Sequence, residues 1–130
     1  MRKEIKEIIK KYFECLSNGD YENLMNLFDS KAMVNSPLYG KVNAKEFYKQ
    51  LIADSNENSE VILLHAFVDE SAKKGAGNFK YDWTLKDGNA SSFEGVDVFE
   101  FNDDGKIKQV KIIYDTFGTR EGFDKMKENQ

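Results

Sequence analysis

Hydrophobic residues in the first third of the chain recur at helical spacing. The apolar residues from Ile5 to Leu16 are three or four positions apart, which predicts one amphipathic helix. Gly19 predicts its end, because glycine accepts the left-handed backbone that terminates many helices. A second short helix over 20–28, a strand over 32–35 and a third helix starting at Asn43 are predicted to follow.

After residue 58 the apolar period changes from about 3.6 to two, which is typical of strands. The linking segments contain glycine and read as turns between antiparallel neighbours: 74–77, 87–89 and 103–106. The pattern therefore predicts an α+β fold, with helices on one face of a curved sheet. The four predicted strands are Val61–Val68, Phe79–Leu85, Ser92–Phe101 and Ile107–Thr116.

One acidic residue interrupts an apolar strand face. Alternation places Asp97 in a row with Phe93, Phe99 and Phe101. On a buried face, Asp97 must either receive hydrogen bonds or become neutral through a raised pKa. The alternative is that the opposite face, with Val96, is the buried one and that Asp97 faces solvent.

Length and composition narrow the function classes. A chain of 130 residues fits one domain over 1–130, and its 13% aromatic content suits a large core or an apolar pocket. A net charge of −4 argues against a nucleic-acid binder. Cys15 is the lone cysteine, which fits a reducing, cytoplasmic compartment, and no apolar run is long enough to predict a membrane span.

The sequence predicts no metal site. His65 is the only histidine, and no cluster of cysteines or carboxylates accompanies it. Its strand is apolar on both faces, so alternation leaves its direction open. His65 is a candidate acid or base in a pocket, and a core or dimer-interface position is the alternative.

Several segments, in order, resemble ketosteroid isomerase and its NTF2-like relatives, which include the SnoaL-like proteins. They are Lys11–Asp20, Met33–Pro37, Phe47-Tyr48, the run Val96–Phe101 and the strand that ends at Tyr114. The resemblance covers nearly the whole chain and implies an NTF2-like, or cystatin-like, cone. It also implies a pocket for a small apolar or carbonyl-bearing molecule, and a homodimer.

The resemblance assigns roles to three residues. Tyr12 matches the family's oxyanion-hole tyrosine, Asp97 its oxyanion-hole aspartic acid, and Tyr48 a tyrosine that hydrogen-bonds to the first. In ketosteroid isomerase, apolar surroundings keep that acid neutral so that it can donate a hydrogen bond. Two donors directed at one oxygen would stabilise an enolate.

The chain departs from the family at the catalytic base. The family's aspartate before the proline of the first strand is Ser36 here, and a serine hydroxyl is a poor base. The end of the last strand resembles SnoaL-like polyketide cyclases, in which an aspartate at the position of Asp115 serves as acid and base. Alternation places Asp115 opposite Tyr114, and the other interpretation is an exposed carboxylate paired with Arg120.

Two functions follow as hypotheses. The first is a cofactor-independent isomerase-like or cyclase-like enzyme, with Tyr12, Asp97 and Asp115 as catalytic candidates. The second is a non-catalytic binding or dimerisation module built on the same cone. The residues predicted to line the pocket are Phe28, Ser36, Tyr48, His65, Phe79, Tyr81, Trp83, Phe93 and Tyr114.

Overall fold

The computed structural model describes residues 2–128. The helices in this range are α1 (Arg2–Asn18), α2 (Tyr21–Met25), α3 (Ala44–Asp54) and α4 (Arg120–Glu128). The strands are β1 (Phe28–Ser36), β2 (Gly40–Asn43), β3 (Glu60–Val68), β4 (Lys74–Thr84), β5 (Ala90–Phe101) and β6 (Ile107–Ile113).

The predicted boundaries of the first and third helices are confirmed by their local chemistry. Helix α1 buries one stripe that includes Ile9 and Phe13, and Gly19 follows it with a φ of +64°. The Asn43 side chain caps α3 by accepting a hydrogen bond from the Glu46 backbone N–H at 2.9 Å. Both helices are therefore ended or started by the residues that the sequence indicated.

The strands form one six-stranded sheet in the order β2-β1-β6-β5-β4-β3. Strands β3 to β6 are an antiparallel meander, as predicted, whereas β1 pairs with β6 in parallel. Helix α1 packs against β3 and β4, and α3 packs against β1 and β2. The fold is thus α+β, with helices covering the inner face of a curved sheet.

The segment Gly75-Ala76-Gly77 is part of β4, so its prediction as a turn was wrong. Gly75 and Gly77 face α1, and a Cβ atom on Gly77 would lie 2.5 Å from Cε2 of Phe13. The two glycines therefore provide room for the helix to approach the strand closely. Glycine is common both in turns and where a helix packs closely on a strand, and the sequence alone did not distinguish these two causes.

Other elements also differ from the prediction. Phe28 begins β1 and does not belong to the second helix. Strand β2 was not predicted, since its four residues are too few for a clear period. Strand β6 ends at Ile113, three residues before the predicted end at Thr116, and the tail continues as α4.

Candidate active site in the cone

A cavity lies between α1, α3 and the inner face of the sheet. The space in it that could hold the centre of a water molecule is about 40 Å³. All of the empty space between its walls, including the open mouth, is about 440 Å³. The walls are chiefly aromatic and aliphatic. They are formed by Tyr12, Phe13, Leu16, Ser36, Tyr39, Phe47, Leu51, Phe79, Tyr81, Trp83, Phe93, Asp97, Ile112 and Tyr114.

Tyr12 and Asp97 form a polar end of this cavity, and Tyr48 lies directly behind Tyr12. The hydroxyl oxygens of Tyr12 and Tyr48 are 2.6 Å apart. The Tyr12 hydroxyl also donates to Oδ2 of Asp97 at 3.3 Å. Tyr12 comes from α1, Tyr48 from α3 and Asp97 from the centre of β5, so the packing of both helices on the sheet assembles the group. Alternation aligned Asp97 with a row of phenylalanines and left open which face is buried. The structure buries that face, and the exposed fraction of Asp97 is 2%.

Burial determines the charge of Asp97. Desolvation raises the pKa of its carboxyl to about 8, and the hydrogen bond from Tyr12 offsets only part of this rise. At neutral pH the carboxyl is therefore mostly protonated and can donate. Its Oδ1 atom is buried without a hydrogen-bond partner among residues 2–128.

The two tyrosines remain protonated donors. Burial raises the pKa of Tyr12 well above its ordinary value, and the neighbouring Tyr48 and Asp97 raise it further. Burial likewise raises the pKa of Tyr48. The polar end of the cavity is consequently an uncharged group of O–H donors near neutral pH.

Ser36 lines the cavity but is engaged by the backbone. Its Oγ accepts hydrogen bonds from the backbone N–H groups of Leu38 and Tyr39, at 3.3 and 3.2 Å. This arrangement closes the turn after β1. The serine therefore has a structural role at the position where related isomerases have their base.

Aromatic rings from β4, β5 and the end of β6 form the sheet side of the cavity. Phe93 and Tyr114 stack with their centroids 4.1 Å apart, and Tyr81 contacts both Trp83 and Phe93. Gly95 makes room for this wall, because a Cβ atom there would lie 2.9 Å from Cζ of Phe79. These five aromatic residues lie where the sequence analysis expected the pocket.

Phe28 and Tyr48 lie one layer behind the cavity. Their rings contact each other with centroids 5.3 Å apart, and both contact the ring of Tyr12. They support Tyr12 from the core side, and neither belongs to the cavity wall itself.

The expectation that His65 lines the pocket needs correction. A register shift between Leu63 and His65 interrupts the pairing of β3 with β4. Leu63 pairs with Phe79 on the inner face, whereas His65 pairs with Asn78 on the outer face. The bulge therefore turns the exposed imidazole away from the cavity.

Asp115 also lies outside the cavity. Because β6 ends at Ile113, Asp115 belongs to the following turn, where its Oδ1 accepts a hydrogen bond from the Phe117 backbone N–H at 2.9 Å. The side chain is exposed. Arg120 donates to the carbonyl oxygen of Pro37 at 2.8 Å. The structure thus gives Asp115 a turn-capping position outside the wall of the aromatic cavity.

Sequence reasoning missed a buried ionic cluster beside the cavity. The carboxylate of Asp54 is fully buried and accepts hydrogen bonds from Tyr39 at 2.7 Å and Gln50 at 2.9 Å. Lys127 from α4 approaches Oδ2 at 2.8 Å. Burial alone would raise the pKa of Asp54, but the partners outweigh it and the net shift is downward.

Several apolar wall residues were also missed as pocket residues. Four of them lie on the apolar stripes of α1 and α3, and this helical periodicity was the signal that could have identified them as wall residues: Phe13, Leu16, Phe47 and Leu51. Tyr39 lies in a turn, where no periodicity could single it out.

The described part of the chain has no group of three side chains that could hold a metal ion. Among residues 2–128, no helix is long and apolar enough to cross a membrane.

The raised pKa of Asp97 predicts a pH-dependent stability. The folded state holds a proton that the unfolded chain releases near pH 4, so stability falls as pH rises from about 4 to about 8. Asp97→Asn removes this loss. We expect the free energy of unfolding of the variant, relative to wild type, to rise by on the order of 3 kcal/mol between about pH 5 and about pH 8. Urea unfolding followed by circular dichroism measures it, and a pH-independent difference would contradict a protonated Asp97.

Solved structures show the same fold at low sequence identity. PrhC from Penicillium brasilianum superposes with a TM-score of 0.80 at 17% identity, over 99% of this chain and 91% of that one. SalBIII, described as an epoxide hydrolase/cyclase-like enzyme in pyran ring formation, gives 0.76 at 20%, over 91% and 97%. A putative polyketide cyclase from Xanthomonas campestris gives 0.74 at 13%, over 88% and 92%.

Comparison with curated protein sequences gives no match. The model of the SnoaL-like domain family matches residues 9–110, which is most of the chain and includes Tyr12, Tyr48 and Asp97. The NTF2-like architecture, the inner-face cavity and this match agree, and the chain belongs to the SnoaL-like family.

Proposed function

We propose that the protein binds a small apolar molecule through a carbonyl or phenolic oxygen, which accepts hydrogen bonds from Tyr12 and Asp97. The observation that carries the proposal is Oδ1 of Asp97, which is buried in the cavity wall without a partner among the described residues. A neutral carboxyl with an unused donor position costs stability unless a ligand uses it.

The geometry of Tyr12 supports a second donor for the same oxygen. Its hydrogen bond to Asp97 is 3.3 Å long, which exceeds the usual O–H···O range of about 2.5–3.0 Å. Tyr48 can meanwhile donate to Tyr12, with the two oxygens 2.6 Å apart. The Tyr12 hydrogen is therefore available to an incoming oxygen at little cost, and Tyr48 strengthens it as a donor.

We further propose that catalysis, where it occurs, is the stabilisation of negative charge on that oxygen. In an enolisation or cyclisation, charge develops on the carbonyl oxygen, and two O–H donors in an apolar cavity stabilise it strongly. Asp97 is the one carboxyl group in the wall of the described cavity, and its proton stays on it or passes to the oxygen. A proton lost from carbon must go to a base in the substrate or to water. No cofactor is invoked.

Binding without turnover is the second candidate, and Ser36 favours it. The serine replaces the base of the related isomerases, and its Oγ is engaged by two backbone N–H groups. Neither His65 nor Asp115 lines the cavity to take over the base role.

Phenol binding tests the oxyanion site. We expect naphthol and nitrophenol to bind, with the optical spectrum of the bound nitrophenol reporting its ionisation. Tyr12→Phe and Asp97→Asn should each weaken binding by about 1–3 kcal/mol. The first removes one donor to the phenol oxygen, and the second replaces an acidic O–H donor by a weaker amide N–H donor. Titration by fluorescence and absorbance measures both effects.

Asp115→Asn is the matched control for Asp97→Asn, since it changes an exposed carboxylate outside the cavity. It should leave phenol affinity unchanged. Equal affinities in wild type, Tyr12→Phe and Asp97→Asn would refute the proposed site.

Restoring a base tests the catalytic part. Ser36→Asp should increase the isomerisation rate of a β,γ-unsaturated ketone, because a carboxylate at the cavity wall can move the proton. An aspartate oxygen can also accept the two backbone hydrogen bonds that Ser36 now accepts. Ser36→Asn has the same shape without the basicity and is the control. Equal rates in the two variants would favour the binding module.

We also propose a homodimer formed through the outer face of the sheet. Ile62, Phe67 and Ile113 are exposed large apolar residues whose registers place them on that face. Val96 and Val98 lie between them on β5. These side chains form an apolar patch that faces solvent in a single chain, and a second copy would cover it.

Sedimentation equilibrium tests the dimer. Wild type should have twice the mass of one chain, and Ile62→Lys combined with Ile113→Lys should shift it to the monomer by burying two charges in the interface. Phe117→Ser is the control, since Phe117 is 93% exposed but lies in the turn after β6. A monomeric wild type at micromolar concentration would count against the proposal.

A further inference from the structure

A second cavity adjoins the aromatic one. Its volume is about 300 Å³, and it lies between the end of α1, the end of α3 and the loop that leads into β3. It shares three wall residues with the aromatic cavity: Leu16, Leu51 and Tyr81. These three side chains are thus a partition with one cavity on each side, and we name the second cavity the vestibule.

The partition residues are buried, but less completely than the deeper part of the cone. Leu16, Leu51 and Tyr81 are 9%, 7% and 8% exposed, whereas Tyr12 deeper in the cone is 1% exposed. Tyr81 lines the vestibule together with Ser55, while its ring contacts Phe93 in the aromatic cavity. A ligand that reaches both cavities must pass this edge, and the subsite proposed below requires these three side chains to change rotamer.

The vestibule differs from the aromatic cavity in chemistry. Beyond the partition its wall is rich in short polar side chains, including Ser17, Asn18, Asn56 and Ser59. Within the described residues, the Asn18 side chain has no hydrogen-bond partner, while Ser17 and Ser59 bond to the backbone of the neighbouring strands. This wall can therefore offer both donors and acceptors to a polar group.

The charge of the vestibule is one-sided. Glu57 is the one charged residue in its described wall, and it has no ion-pair partner among residues 2–128. No lysine or arginine lines this cavity. A ligand group placed there meets a negative potential, which favours a cationic or neutral polar group and disfavours a carboxylate or phosphate.

We propose that the vestibule is a second subsite, which holds a cationic or neutral polar tail of the ligand whose apolar, oxygen-bearing end reaches Asp97. The ligand class is then an aromatic or alicyclic ketone or phenol carrying an amino or hydroxyl chain, and not an acid or a phosphate ester. This inference rests on the proposed function, since it assumes that the aromatic cavity holds the other end.

Four matched probes test the subsite on the full-length protein. They are naphthol itself and naphthols carrying a butyl, an aminobutyl or a carboxypropyl chain opposite the hydroxyl. We expect the aminobutyl probe to bind about fivefold tighter than the butyl probe, because its ammonium group approaches Glu57 in a partly exposed site. The carboxypropyl probe should bind more weakly than the butyl probe.

A charge-removing variant connects the preference to the vestibule. Glu57→Gln should abolish the difference between the aminobutyl and butyl probes and leave naphthol affinity unchanged. Glu94→Gln is the control, because Glu94 precedes the inward-facing Gly95 on β5 and its side chain contacts Asn78 on the outer face of the sheet. It should preserve the preference for the aminobutyl probe.

The outcomes separate this inference from the proposed function. If naphthol binds but the aminobutyl and butyl probes have equal affinity, or if Glu57→Gln leaves their difference intact, the subsite is refuted and the oxyanion site stands. If naphthol does not bind at all, the proposed function fails, and the subsite fails with it.

Discussion

The structure depends on the burial of one carboxyl group among aromatic rings. Asp97 is 2% exposed, and the cost of removing a charged carboxylate from water is avoided because the group takes up a proton. Burial without nearby partners would still destabilise the fold, because a neutral carboxyl group also needs hydrogen bonds. Tyr12 supplies one of them and is itself held by Tyr48. Two helices and the central strand must therefore pack correctly for this single residue to be tolerated.

Glycines in the strands make that packing possible. Gly75 and Gly77 let α1 approach β4 so closely that a Cβ atom at either position would meet Ile9 or Phe13 within 3 Å. Tyr12 is on the same helix, so the depth at which α1 docks also fixes the distance from Tyr12 to Asp97. Gly95 has the corresponding effect on the neighbouring strand β5, where the ring of Phe79, the Cβ atom of Tyr114 and the carbonyl oxygen of Ile113 occupy the space of a side chain. The shape of the cavity thus depends on these glycines as well as on the aromatic side chains that line it.

The sequence predicted what depends on short-range periodicity and failed where long-range geometry decides. Alternation placed Asp97 in one row with Phe93, Phe99 and Phe101 because strand β5 is regular there, although it left open whether that face is buried. It could not orient His65, because the bulge after Leu63 moves every later side chain of β3 to the other face. Asp54 illustrates the same limit more strongly. Its partners Tyr39 and Lys127 are 15 and 73 positions away along the chain, and only the packing of α4 and the turn after β1 brings them together.

Asp54 and Asp97 show how two buried carboxyl groups of one domain reach different charge states. Both carboxyl groups are buried, and burial by itself pushes both pKa values upward. At Asp54 an ammonium group and two hydrogen-bond donors reverse the shift and occupy both carboxylate oxygens. The Asp54 carboxylate is therefore charged, and both of its oxygens already accept hydrogen bonds within the protein. Asp97 has no cation beside it, keeps its proton and leaves Oδ1 without a partner in the described structure. A ligand oxygen can gain a hydrogen bond only where one is still unused, so of these two aspartates Asp97 is the one that suits the binding proposed above.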